Sequence, residues 1–432
     1  EHRAEPPDAA TAGTGTQGQA PLAPTPLRRN RDFILLWSGQ VVSTVGTRIT
    51  GVAYPLLVLA LTHSPAKAGI VGFAQSLPYM LFYLPAGALV DRWNRKRVML
   101  IADAGRAMAL GSLALVLAFG SLTLAQIVIV AFVEGSLFVF FSLAESAALP
   151  QVVPKEQLPT AVAQNQARVQ GADLVGQPLG GALFGISRLL PFAADAVSYA
   201  VSFVSLLFVR PPFQEERAPT PASLRADIAE GIVWLWRRPF LRIAVLLIAG
   251  SNFAFSAITL ALIVRAKDLG ASPGTIGIML AFSGAGAILG SFVAPWAQRH
   301  VPAKIVIIAS LWIWALAALA LPLFRNPLAL GAVWGFAGFF GPVFNVTFAS
   351  YRYALVPDRL LARVGSAALV VAWGAIPLGQ LTAGFLLQSL GAVKAIVALG
   401  GVMVAVGVAA TAARSIRRAP RVDELLALEP VP

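Results

Sequence analysis

The sequence predicts an all-α membrane protein whose twelve transmembrane helices form two parallel, pseudo-symmetric halves of six. Three observations lead there. Of 432 residues, 57% are apolar and 12% charged, about half the charge with which a soluble domain covers its surface, and the mean hydropathy is +0.74. From Phe33 onward, apolar segments of about 20 residues follow one another, each long enough for a hydrocarbon core of ~30 Å. Finally, the second half repeats the first at a near-constant offset.

Residues 1–32 are rich in Pro, Ala, Thr and Gly without an apolar run, and read as a disordered cytoplasmic tail lacking the apolar stretch of a signal peptide. The spans are placed at 33–62, 66–89, 98–119, 123–147, 158–187, 190–209, 240–264, 273–295, 302–323, 327–349, 362–388 and 391–413. Each must be helical, because lipid offers no partner to a free backbone amide. Punctuation is weakest at Pro191 and Gly391. Residues 33–209 and 240–413 are thus two six-helix bundles. The linker, 210–239, is charged, and its Asp227, Glu230, Ile232, Trp234, Leu235 and Arg237 are patterned as an amphipathic helix at the cytoplasmic face. Residues 414–432 form a cytoplasmic C-terminal tail.

Charge sets the orientation. With these spans, 24 of the 33 Lys and Arg fall on the side of the termini and six on the other, leaving Arg48, Arg106 and Arg168 inside spans. The positive-inside rule then makes both termini cytoplasmic, in a bacterial cytoplasmic membrane. The net charge of +13 answers to topology and lipid headgroups, and no nucleic-acid partner is expected. With no Cys and only the scattered His2, His63 and His300, no metal, disulfide or thiolate chemistry is expected, nor any cofactor. No phosphate-binding Gly-x4-Gly-Lys loop occurs, which excludes ATP drive. No Ser, His or Cys triad shares a membrane depth, so an enzyme is not expected either.

The repeat is specific. Gly87, Val90, Trp93 and Val98 recur as Gly290, Val293, Trp296 and Val301 at an offset of 203, as do Phe141 with Phe344 and Val153-Pro154 with Val356-Pro357. Upstream, Ser64-Pro65 and Gly69-Ile70 recur as Ser272-Pro273 and Gly277-Ile278 at an offset of 208. A parallel duplication of six-helix halves places substrate between the halves, near the midplane.

Gly87-x-Leu89-x-Asp91-Arg92-x-Asn94-Arg95-Lys96 resembles the loop 2–3 signature of the major facilitator superfamily. Arg31-Asp-Phe33 with Leu36-Trp37, Ala102-Asp103-x-x-Arg106, Leu149-Pro150 with Val153-Pro154, and Asp227-Ile-x-Glu230-Gly231 resemble its drug-efflux branch, which contains the enterobactin exporter and macrolide-efflux proteins. The resemblance implies that Gly87, Asp91, Arg92, Arg95 and Lys96 latch the outward-facing state, with Glu145 the expected partner of Arg95 or Arg92. Gly87 is expected to let two helices approach closely. Asn94 stands where the family has Gly, a substitution that a left-handed turn would tolerate. Gly176-Gln177-Pro178-Leu-Gly180-Gly181 in span 5 is similar to the family's antiporter motif, with Pro moved one place on. Together these imply a proton-coupled exporter of amphipathic small molecules, monomeric and embedded in the bilayer. A dedicated exporter of one siderophore or metabolite, and a lipid flippase, remain alternatives.

Charges at span depth are expensive and so point to function. Asp103 and Arg106, three apart on span 3, are expected to satisfy one another. Asp195 is expected near water at the outer end of span 6, and Arg168 to snorkel or join the latch. Arg48, Glu134 and Asp173 lie midway along spans 1, 4 and 5, and are the candidates for proton coupling; the alternative is a permanent Arg48–Glu134 salt bridge. Gln75, Asn165, Asn252, Asn345, Trp373 and Gln380 are the candidate substrate contacts at midspan, each equally able to bond a neighbouring helix.

Overall fold

The computed structural model describes residues 26–120, 122–210, 213 and 224–419. They form long helices: α1 (Arg31–Thr62), α2 (Pro65–Arg92), α3 (Arg95–Phe119), α4 (Leu124–Val152), α5 (Leu158–Ile186), α6 (Leu190–Phe208), α7 (Leu224–Arg237), α8 (Pro239–Asp268), α9 (Pro273–His300), α10 (Ala303–Ala320), α11 (Pro327–Leu355), α12 (Asp358–Ala412) and the short α13 (Arg414–Arg417). The expected N-terminal tail, most of the linker before α7 and the end of the C-terminal tail lie outside the described residues.

Local chemistry sets the boundaries. Asn30, Ser64, Asn94, Ser272 and Asn326 accept a hydrogen bond from the first turn of the helix each precedes, and Thr123 with Gln126 forms a full capping box. Ser64 and Ser272, the repeated pair, therefore do the same work in both halves. Asn94 is extended, at φ −65° and ψ 108°; it starts α3 as a cap rather than turning left-handed. Gly391 (φ 75°, ψ 169°) breaks α12 into arms 358–390 and 392–412, a backbone that only Gly adopts freely.

Nine helices among the described residues are long and apolar enough to cross a membrane. That number joins the two arms of α12 and omits α2 and α5. Helix α5 falls short because Gln164, Asn165, Gln166, Arg168, Gln170 and Asp173 crowd its first half. Large apolar side chains cover the outer surface, with Phe119, Phe292 and Leu323 at least 77% exposed. Such a surface belongs in lipid.

Within the first half α1 packs on α5 and α6, α2 on α4, and α3 on α4 and α6; within the second, α8 and α10 pack on α12, and α9 and α10 on α11. Besides a small contact of α1 with α8, two extensive pairs join the halves, α2 with α12 and α5 with α9. Both are tight at the far end of the bundle, away from the chain termini. A Cβ on Gly69 would come within 2.7 Å of Gly384 Cα and the Gln380 carbonyl, and one on Gly181 within 3.0 Å of Gly277 N. Ser64 Oγ donates to Gln388 Oε1 at 2.8 Å, and Lys267 Nζ to the Leu59 carbonyl at 3.0 Å.

Candidate functional site

Below the far-end seam a cavity of about 910 Å³ runs toward the end that carries the termini, a volume suited to a drug-sized ligand. Helix α5 forms one wall and α8, α9, α10 and α11 the other. The α5 stripe is Val162, Gln166, Gln170 and Asp173, which the 3.6-residue period places on one face. Opposite stand Ser251, Asn252, Phe255, Ser283, Ser291, Trp314 and Asn345. Asp173 is the one ionisable group on this lining among the described residues. It closes the cavity's deep end, where a Cβ on Gly284 would lie 3.0 Å from its own Cβ.

Asp173 is paired. Arg48 Nε lies 2.9 Å from its Oδ1, with the Arg side chain 38% and the Asp side chain 20% exposed, and Gln177 Nε2 donates to the same oxygen at 3.3 Å. Two of the three proton-coupling candidates therefore meet at the cavity. The third does not. Glu134 is 2% exposed in the core of the first half, accepting hydrogen bonds from Tyr54 at 3.0 Å and Tyr199 at 3.3 Å. The Arg48–Glu134 salt bridge weighed above is replaced by Arg48–Asp173.

The span 5 motif is a three-helix junction. A Cβ on Gly176 would come within 2.8 Å of the Val45 carbonyl, and one on Gly180 within 2.6 Å of the Ile49 carbonyl, both on α1. Gly181 turns the other way, onto Pro273 and Gly277 of α9, where Pro178 also packs. The motif seats the cavity pair, since Arg48 Cβ itself would touch a Cβ on Gly176.

The loop 2–3 residues work within the first half. Arg95 donates to the carbonyls of Ala147 at 2.9 Å and Phe213 at 3.2 Å, and Lys96 to Val209 at 2.6 Å and Leu207 at 3.3 Å. These cations sit on the carbonyl ends of α4 and α6, where the helix dipole favours positive charge. Arg92 is exposed, and the side chain of Asp91 lies outside the described residues. Glu145 bonds Arg168 at 2.7 Å, not the expected Arg95 or Arg92; α5 brings a guanidinium to it at shorter reach. Gly87 faces open space, with nothing within 4 Å of a Cβ there, contrary to the expected helix contact. Its repeat partner Gly290 does pack, against the Phe339 backbone.

Two further expectations change. Asp103 and Arg106 do not pair: Ser202 donates to Asp103 at 2.6 Å, while Arg106 donates to Tyr199 and, at 3.2 Å, to Thr47. Asp195 is fully buried rather than near water, held by Thr50 at 2.7 Å and Ser198 at 2.9 Å.

Of the substrate candidates, Asn252 and Asn345 line the cavity, and Asn252 also donates to the Ala372 carbonyl at 2.9 Å. Trp373 packs edge-on against Tyr79 and Tyr83 in the α2–α12 seam, and Gln380 lies against Gly72 in the same seam. Gln75 lies on the Glu134 side of α2, away from the cavity lining, and Asn165 sits half-buried off the cavity stripe of α5. Gln166 and Gln170 are not among the sequence candidates, although their spacing of four and three from each other and Asp173 marks the stripe. Tyr54 and Tyr199 carried no signal, because only folding brings three helices to Glu134.

A family model, described as transmembrane secretion effector, matches residues 19–427. The chain belongs to that family. Efflux proteins are among its relatives. It is 25% identical over 393 residues to the multidrug efflux pump Tap of Mycolicibacterium fortuitum, covering 88% of this chain and 94% of that one. It is 28% identical over 229 residues to macrolide efflux protein A of Streptococcus pyogenes, covering 52% and 55%. Among solved structures it is similar to the nucleoside transporter NupG (TM-score 0.72, 14% identity, 91% and 100% covered). It is also similar to a bacterial homolog of the human lysosomal transporter Spinster, solved inward-facing and unoccupied (TM-score 0.68, 17% identity, 90% and 96% covered). These likenesses carry the fold alone, that of an all-α membrane protein.

Proposed function

We propose that this protein is a proton-coupled exporter of amphipathic small molecules that works by alternating access between two six-helix halves, 33–209 and 240–413. Both termini are cytoplasmic in a bacterial inner membrane, and a single chain is the working unit. The observation that carries the reading is the cavity itself. It lies between α5 and the second half, sealed at the far end and ending on the Arg48–Asp173 pair. In the proposed orientation this is the inward-open state.

Efflux is supported by the relatives, a multidrug efflux pump and a macrolide efflux protein. An amphipathic substrate is supported by the lining, which sets Phe255, Trp314 and Phe344 beside the amides of Gln166, Gln170, Asn252 and Asn345. Proton coupling is supported by the position of Asp173. A carboxyl held by one guanidinium changes its proton affinity when its surroundings change, and rocking of the halves moves α9, packed on Asp173 at Gly284, relative to α5. Substrate enters from the cytoplasm, the halves rock, and Asp173 exchanges its proton on the opposite side. The open Cβ face of Gly87 fits the latch role: it awaits a partner that arrives only when the cytoplasmic side closes.

Susceptibility testing checks this. A pump-deleted host expressing the chain is expected to resist macrolides and ethidium, and to lose the resistance with a protonophore or with Asp173→Asn. Equal susceptibility of expressing and empty hosts across the panel contradicts the exporter reading.

A further inference from the structure

Three acids of the first half are enclosed with one base. Asp103 of α3 and Asp195 of α6 are 0% exposed, and Glu134 of α4 and Arg106 of α3 are 2% exposed. The partners of the acids are neutral. Ser202 donates to Asp103 at 2.6 Å and accepts from Gln40 at 2.8 Å; Tyr54 and Tyr199 donate to Glu134; Thr50 and Ser198 donate to Asp195. Arg106 spends its charge on Tyr199, bonding the hydroxyl and lying 3.8 Å from the ring centroid. None of the three acids forms an ion pair with Arg106.

The other elements packed here add no cation. Helix α1 presents Thr47, Thr50 and Tyr54, while its Arg48 is on the α5 side with Asp173. Helix α2 presents Gln75 and Tyr79. The second acid of α4, Glu145, lies three turns nearer the terminal end and is held by Arg168 of α5. With all four core groups ionised, a net charge of −2 would sit inside an apolar bundle, which buried groups without counter-charges do not sustain. Neutrality requires two protons. Asp103 Oδ1, fully buried and without a hydrogen-bond partner, is an oxygen that a neutral carboxyl tolerates and a carboxylate does not.

We infer that the core of the first half is a proton-binding site, separate from the cavity, which holds two protons among Asp103, Glu134 and Asp195 against the single cation Arg106. The inference rests on charge and burial, and stands whether or not export is driven by protons. It also assigns α1 a task. Thr47 and Thr50 bond the core while Arg48, on the same turn, meets Asp173. Any movement of α1 thus alters the proton affinity of both sites at once.

Infrared spectroscopy of the full chain in lipid nanodiscs at neutral pH tests this through the C=O stretch of protonated carboxyls. Asp103→Asn and Asp195→Asn are each expected to lose one carboxyl's intensity, because a neutral Asn leaves one acid fewer to neutralise. The double variant is expected to lose two, leaving Glu134 ionised beside Arg106. Arg106→Gln is expected to gain one. A double variant with wild-type intensity means that these carboxyls are ionised, and overturns the inference. Failure of the double variant to fold also counts against it, since Asn matches the shape and charge of a protonated Asp.

Discussion

A Cβ on Gly69 would fall within 2.7 Å of Gly384 Cα, so α2 and α12 meet backbone to backbone at the far end of the bundle. Gly181 and Gly277 make the equivalent contact between α5 and α9. The two contacts are related by the duplication: Gly69 repeats as Gly277 at the offset of 208, and Gly181 as Gly384 at 203. The seal between the halves is thus built from one ancestral pair used twice, and small residues make it possible.

Substituting Val at Gly384 or Gly277 is expected to prise this seal open. Overpacking costs about 1–3 kcal/mol, which changes a two-state ratio by roughly fivefold to a hundredfold. Because the chain has no Cys, single cysteines report without background. Labelling at Ser64→Cys, next to Gln388, is expected to accelerate in either variant. An unchanged rate would remove the glycines from the gate.

A bridge across the same seam should do the opposite. Ser64→Cys with Gln388→Cys, joined by a short bismaleimide, is expected to hold the far end shut and stop transport, while each single cysteine transports normally. Transport by the bridged protein would contradict the assignment of this end as a gate.

The Arg168–Glu145 pair, with side chains 7% and 15% exposed, is expected to tie α4 to α5. Arg168→Gln or Glu145→Gln leaves one charge stranded, at a cost of about 3 kcal/mol, and the double variant recovers most of it. Arg95 and Glu145 are expected to be additive. Chemical denaturation in detergent of the three single and two double variants measures both couplings.

Much of this was legible in the sequence. The spans were, because a lipid-facing helix must be apolar along its whole length; so was the linker helix, by its amphipathic pattern. Two of the seam glycines, Gly69 and Gly277, stood in the repeat, and Arg48 with Asp173 announced themselves as charges at membrane depth. Pairing was not legible. Asp103 and Arg106 have helical spacing for a bond, yet Ser202 and Tyr199 from α6 take their place. Which of Arg48, Arg95, Arg106 and Arg168 meets which acid depends on the rotation of each helix, and an apolar surface facing both lipid and neighbours leaves that rotation unmarked. The cavity stripe Gln166, Gln170 and Asp173 was visible as a period. What it faced was not.

Those amides give a further expectation. Gln166→Ala and Gln170→Ala are expected to raise the apparent KM for transported ligands severalfold, each removing a hydrogen bond worth about 1 kcal/mol, with melting temperature unchanged. Asn165→Ala, off the stripe, is expected to leave KM as it was. Equal effects at all three positions would mean that the cavity wall has been misplaced.

The most direct measurement is transport by the purified protein in liposomes with an imposed pH gradient, following ethidium by fluorescence and protons with a trapped pH dye. The wild type is expected to move ethidium against its own gradient while protons move the other way. A protonophore is expected to abolish both fluxes, and Asp173→Asn to uncouple them. Ethidium movement that ignores the pH gradient, with no proton counterflow, would contradict proton-coupled export at this cavity.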